Sequence, residues 1–170
     1  MTRTKSIPDA DVLRTILDHL LLLGDKAVTF ATMAIATGLA APTLVQRFRS
    51  RDQMVHAALD AGWSLLEHQT ELAHGTALVS AKGAAGFLKE VSAQVDIPAL
   101  WAASLRNRVL QDRAKQWRSR VELVLAVRLG GGIRGRDAAG LIFAAWQGRM
   151  LWDSAGGKSF RLGDAIKRSA

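Results

Sequence analysis

Apolar residues recur at intervals of three and four along the chain, the spacing of one face of an α-helix. Leu13, Ile16, Leu17, Leu20 and Leu21 make the first such stripe and predict a helix over 9–23, which Gly24 stops. Thr29 suits the N-cap of a second helix that buries Phe30, Met33 and Ala34, and Gly38 suits the left-handed position that ends it about two turns later. A third helix begins near Ala41, where Pro42 is tolerated in the first turn, and buries Leu44 and Phe48, one turn apart. Its other face carries Thr43, Gln46 and Arg47. Ser50 followed by Gln53 fits a capping box, so the third helix ends between Phe48 and Arg49 and a long one opens, passing Val55, Leu59, Gly62 and Leu66 to about residue 73. Further helices are predicted over 78–95, 98–107, 108–129 and 136–154 and from Leu162, with breaks at 74–75, 96–98, 130–135 and 156–157. The segment 138–152 is apolar almost all round and so needs cover on several sides, while Gly140, Ala144 and Gly148 leave a flat strip along which another helix can approach. The pattern is that of an all-α protein.

Composition agrees. The 170 residues are 49% hydrophobic with three prolines and no Tyr, and their length allows one good core or a small module plus a modest domain. The absence of Cys excludes a disulfide framework and a thiolate metal site, and fits a reducing cytoplasm. Net charge is +8, which points to an anionic partner, yet residues 1–54 hold 7 Lys and Arg against 5 Asp and Glu, so 16 of the 23 bases lie beyond them. The apolar run 20–23 is short and follows Asp18 and His19, unlike a signal peptide. Residues 27–46 lack charge over a membrane-spanning length, but Gly38, Pro42 and four threonines make them a buried helical hairpin, so no membrane partner is expected.

Two short helices joined by a glycine turn, the second showing small polar and basic groups outward, form the layout in which the second helix enters the DNA major groove. The residues have the matching chemistry: Arg47 for a guanine edge or phosphate, Gln46 for an adenine edge, Thr43 for a phosphate or a thymine methyl. No acidic residue lies between Lys26 and Arg51. A hairpin of this kind also occurs as a purely structural device.

The spacing of Gly24, Thr29, Met33-Ala34, Gly38-Leu39, Thr43-Leu44, Phe48, Ser50-Arg51 and Met54 resembles the N-terminal domain of the TetR (tetracycline-repressor-like) family of transcriptional regulators. The resemblance covers about a quarter of the chain. It implies a helix-turn-helix DNA-binding domain over 1–52 and a helical ligand-binding and dimerisation domain over 53–170. In that family the residue matching Thr29 caps the second helix at the DNA backbone, those matching Pro42, Thr43, Gln46 and Arg47 lie on the recognition helix, and the one matching Arg51 contacts phosphate. The chain departs from the family at three of these positions: Val45 replaces a usual Tyr, Ala40 a hydroxylated residue, and Arg51 a Lys. Ala40 forgoes a helix cap worth about 1 kcal/mol, and Val45 a phosphate contact. The resemblance further implies a homodimer through the last two helices, where the strip of Gly140, Ala144 and Gly148 falls, that binds a palindromic operator as a repressor and is released by a small molecule. Trp63, on the helix that would link head to body, and Phe87, Trp101, Trp117 and Trp146 supply aromatic lining for a lipophilic or aromatic effector, although aromatics at helical spacing also make plain core.

The remaining chemistry is thin. Residues 130–135, GGGIRG, match a dinucleotide-binding turn literally, but they continue an amphipathic helical run and no strand-rich half follows, so they are expected to be a helix–helix loop. His19, His56, His68 and His74 show no metal-ligand spacing, and no catalytic residue, metal or cofactor is assigned. The basic run 106–120 is either a second nucleic-acid surface or the solvated face of a helix whose other side is Leu110, Ala114, Trp117 and Val121. Two rival readings stay open: a helical sensor with a non-functional DNA head, and a nucleotide-dependent enzyme.

Overall fold

In the computed structural model, which describes residues 7–156 and 161–169, the apolar stripes become nine helices and, among the described residues, no strand. They are α1 Asp9–Leu23, α2 Phe30–Thr37, α3 Ala41–Phe48, α4 Arg51–Thr76, α5 Ala81–Val91, α6 Ile97–Ser104, α7 Arg108–Arg128, α8 Gly132–Trp152 and α9 Leu162–Ser169, with 3-10 turns at Asp25–Ala27 and Asp153–Ala155. The expected N-terminal arm with Arg3 and Lys5, and Gly157 of the last expected break, lie outside the described residues.

Side-chain caps set most boundaries. The Thr29 hydroxyl accepts from the Thr32 amide, and the Thr32 hydroxyl accepts in return from the Thr29 amide, closing a reciprocal cap on α2. Gly38 ends α2 at φ 72°, in the left-handed region that glycine enters without a Cβ clash. Ser50, Ser80, Asp96 and Asn107 cap α4, α5, α6 and α7. At Ser50 only half of the expected box forms, because the Ser50 amide already donates to the Phe48 carbonyl at 2.7 Å. Arg49, between them, has φ 64° and ψ −45°, the strained hand of the three-residue γ-turn, and it is the one non-glycine residue at positive φ among those described.

Several boundaries differ from the pattern, among them the end of α6 at Ser104 rather than 107. Helix α4 runs through His74 and Gly75 to Thr76, since a single glycine does not stop a helix that is packed on several sides. Helix α5 is shorter than expected at both ends: Ser80 caps it late, and the Ser92 hydroxyl bonds back to the Leu88 carbonyl where it finishes. The glycine run also divides. Gly130 and Gly131 make the turn at φ 95° and 68°, while Gly132 to Gly135 already belong to α8. A Cβ at Gly135 would stand 2.8 Å from the Ala126 carbonyl oxygen, so this glycine lets α7 and α8 approach closely. A helix rather than a strand precedes the turn, and the dinucleotide-binding geometry is not formed.

Helix α4 is the central element: α1, α3, α5, α6 and α7 all pack on it, α8 lies along α7, and α9 closes over α5 and α8. The buried apolar side chains form one cluster from Val12 to Ile166, in which Trp63, Phe87, Leu66 and Leu100 are fully enclosed. Each such side chain contributes about 1.5–3 kcal/mol of burial. Charge reinforces the α4–α7 contact. Arg113 binds both carboxylate oxygens of Glu67 at 2.6 and 2.7 Å, the Asp60 carboxylate at 2.5 Å and the Ser64 hydroxyl at 2.8 Å. One heptad on, Arg120 grips both oxygens of Glu71 at 2.7 Å. Among the described residues no helix is long and apolar enough to cross a membrane.

Candidate functional site

Leu44 and Phe48 are buried and anchor α3, which exposes Pro42, Thr43, Val45 and Gln46; of the face expected from the spacing, Thr43 and Gln46 are exposed and Arg47 is not. Ala40 stands at the N-cap without a side-chain bond; Pro42 has no N–H and the Thr43 amide donates to the Ala40 carbonyl at 2.9 Å, so Ala41 carries the one first-turn amide of α3 without a partner in the protein.

The two arginines expected to serve this face are committed elsewhere. Arg47 does not project outward: its Nη1 lies 3.0 Å from Asp9 Oδ1, and its side chain is only 25% exposed, folded against the start of α1. Arg51 is likewise inward. Its Nε donates to the Val28 carbonyl at 2.8 Å, its Nη2 donates to the Asp25 carbonyl, and it pairs with the Asp25 carboxylate at 2.8 Å. It straps the 3-10 turn after α1 to the start of α4. Thr29 holds its expected cap position, but its hydroxyl is engaged with Thr32. Arg49, which the pattern placed only as a helix end, is exposed and without an ion pair, and Lys26 is the other described base of this region so placed. The signal for Arg49 was available in its position one residue past the last buried residue of α3.

A cleft of about 500 Å³ opens between α4, α6, α7 and α8. Trp63, Trp101, Trp117 and Phe143 line it. Trp63 and Trp117 meet edge to face at 5.9 Å, and Trp117 meets Phe143 in the same way at 5.9 Å. Their indole N–H groups are satisfied inside the core, Trp63 donating to Ser104 Oγ and Trp117 to Thr70 Oγ1, both at 2.9 Å. Trp101 is 40% exposed and sits at the rim. Phe87 is not in the cleft. It is fully buried beneath the Arg128 guanidinium, which lies 5.5 Å from its ring centre, and it is absent from the cleft lining. Phe143, which aromatic spacing alone did not single out, takes that place.

Arg128 is itself unusual, an arginine 96% buried with no carboxylate partner. Its guanidinium donates to the carbonyls of His74, Ala77 and Val124 at 2.9–3.1 Å, which closes the C-terminal end of α4, and burial pulls its pKa down. The basic run 106–120 divides: Arg113 and Arg120 clamp α7 to α4, Arg108 pairs with Asp112 and Arg118 with Glu122 within α7, and Arg106 and Lys115 are exposed without an ion pair.

Helix α8 is covered on one side only, through Ala139, Ile142, Phe143 and Trp146. Its opposite side exposes Ile133, Leu141, Ala144, Leu151 and Trp152, and a Cβ at Gly140 or Gly148 would meet nothing within 4 Å. Gly148 and Leu151 also line the cleft mouth. Among the described residues no group of His, Asp or Glu is arranged to hold a metal ion. No family model matches the chain, and no curated protein matches it.

Proposed function

We propose that this protein is a TetR-like transcriptional regulator: a homodimer that binds a palindromic DNA operator through the α2–α3 unit and is released by a small molecule held in the α4–α8 cleft. The observation that carries the reading is α3 itself. It is an eight-residue helix held by two buried side chains after a left-handed glycine turn, with Pro42, Thr43 and Gln46 exposed and Arg49 without an ion pair beside it. Such a helix offers a cation to phosphate and polar side chains to base edges. The long helix α4 joins that unit to the cleft, so a ligand that prefers one setting of α4 changes the spacing of two heads. The test is fluorescence anisotropy with DNA from upstream of the chain's own gene against scrambled DNA at matched salt. A preference of about a thousandfold or more is expected; equal binding to both overturns the reading.

One observation favours a second reading, a helical sensor whose head no longer binds DNA. Arg47 and Arg51 are both held by internal carboxylates, and Val45 and Ala40 add no polar group to the outward face. Equal, salt-dependent binding to any DNA, or none, is the outcome that this reading expects.

A further inference from the structure

The polar lining of the cleft says which ligands it suits. Its charged side chains are Lys115 and Arg118, both basic, and no acidic residue lines it. Arg118 lies 5.3 Å from the centre of the Phe143 ring and shares its charge with Glu122, at 2.8 Å, whereas Lys115 is exposed and has no ion pair. A third polar group is left over: Gln147 lines the same cleft, and its amide Nε2 is buried without a hydrogen-bond partner in the protein. A buried amide donor without an acceptor is costly, and a ligand oxygen placed beside it removes that cost.

We propose that the cleft binds an aromatic carboxylate or a similar flat organic anion. The ring system lies among Trp63, Trp101, Trp117 and Phe143, the anionic group meets Lys115 and Arg118 at the mouth, and an oxygen of the ligand accepts from Gln147 Nε2. Aromatic faces accept a flat apolar body of any charge, so they do not choose between an anion and a cation. Lys115, exposed and without an ion pair, does choose: it attracts an anion, whereas an amine of the same shape would meet its like charge. This assignment takes the cleft as the effector site of the proposed regulator, but ligand binding is measured without DNA, so it can fail or stand whatever the DNA assay returns.

The full-length chain is titrated with naphthoate and with its neutral isostere naphthamide, following tryptophan fluorescence and heat of binding. Naphthoate is expected to bind at least about tenfold more tightly, the factor of one charge-assisted hydrogen bond at a partly exposed site. A Lys115→Gln, Arg118→Gln double variant should bring the two ligands to near parity. Gln147→Leu should weaken naphthoate, yet leave thermal stability unchanged or raised, because it also removes the unpartnered amide. Equal affinity of the two ligands in the parent protein, or no binding of naphthoate at millimolar concentration, overturns the proposal. So does an unchanged preference in a double variant whose circular dichroism and melting temperature match the parent. Operator affinity measured with and without naphthoate then reports separately on regulation.

Discussion

At the scale of single residues, side-chain partners decide what the outward face of α3 can do. The spacing identified which positions face out, since Leu44 and Phe48 mark the buried side, but it could not show where a long flexible side chain ends. Arg47 and Arg51 have carboxylates within reach, from Asp9 at the start of α1 and Asp25 in the turn after it, and both partners are distant in sequence. Helical spacing carries no information about such pairs. Arg49 gains importance by elimination, and it carries a conformational cost, since a non-glycine residue in its γ-turn stores about 1–3 kcal/mol. Arg49→Gly should therefore leave stability unchanged or raise it by up to about 1 kcal/mol after the glycine entropy cost. The same change should weaken DNA binding and lower its salt slope by about one unit. Arg47→Ala, in contrast, should cost under about 1 kcal/mol of stability through the half-exposed Asp9 pair. Urea unfolding and anisotropy titrations at several salt concentrations measure both. An unchanged salt slope in Arg49→Gly removes Arg49 from the DNA face.

At the scale of elements, most helices were legible because their apolar stripes and capping residues are local, and Thr29, Ser50 and Gly38 do what their types predict. The misreadings concern α4, α5 and α8, whose ends are set by packing: Gly75 lies inside a helix closed by Arg128 from α7, and Gly132 to Gly135 are helical because α7 supports them. The cleft was half legible. Five aromatics could be gathered from the sequence, but nothing in their spacing separated Phe87, on α5, and Trp146, on α8, neither of which lines the cleft, from Phe143. The α4–α7 clamp has a pH signature. Hydrogen bonding from Arg120 holds the Glu71 pKa below its ordinary value of 4.5, so the folded state binds that proton more weakly than the unfolded chain does. The stability it adds is present above about pH 5 and is lost as pH falls through the lowered folded value. Urea unfolding should show Arg120→Gln less stable than the parent at neutral pH by under about 1 kcal/mol, the range for a half-exposed pair. That gap should close as the medium is acidified below the carboxylate range. A gap that stays constant through acidification shows that Arg120 acts by packing rather than through the Glu71 charge.

At the scale of the whole molecule, α8 leaves an account unsettled. A 21-residue helix reaches about 30 Å, and along that length one side is core while the other presents Ile133, Leu141, Ala144, Leu151 and Trp152 around two glycines with open space above them. Scattered apolar residues on a surface need no explanation, but five along one helix face, with Asp137 among them, do. A second copy of the chain, related by a two-fold axis, would bring the same face to itself, and the open positions at Gly140 and Gly148 would let the two backbones come close. A seam of this type buries about 800 Å² per partner, enough for a stable dimer. The site of the test matters, because Gly148 and Leu151 also line the cleft and a charge there would disturb ligand and dimer together. Ala144 is exposed, lies on the same face and is not among the cleft residues, so Ala144→Glu separates the two. Sedimentation velocity at micromolar concentration should give a dimer for the parent and a monomer for Ala144→Glu. Naphthoate affinity should be unchanged in that variant, while operator binding should fall, since a monomer holds one half-site at a time. A monomeric mass for the parent chain at that concentration would leave the α8 face without a partner in its own kind and would remove the two-fold geometry on which the operator reading depends.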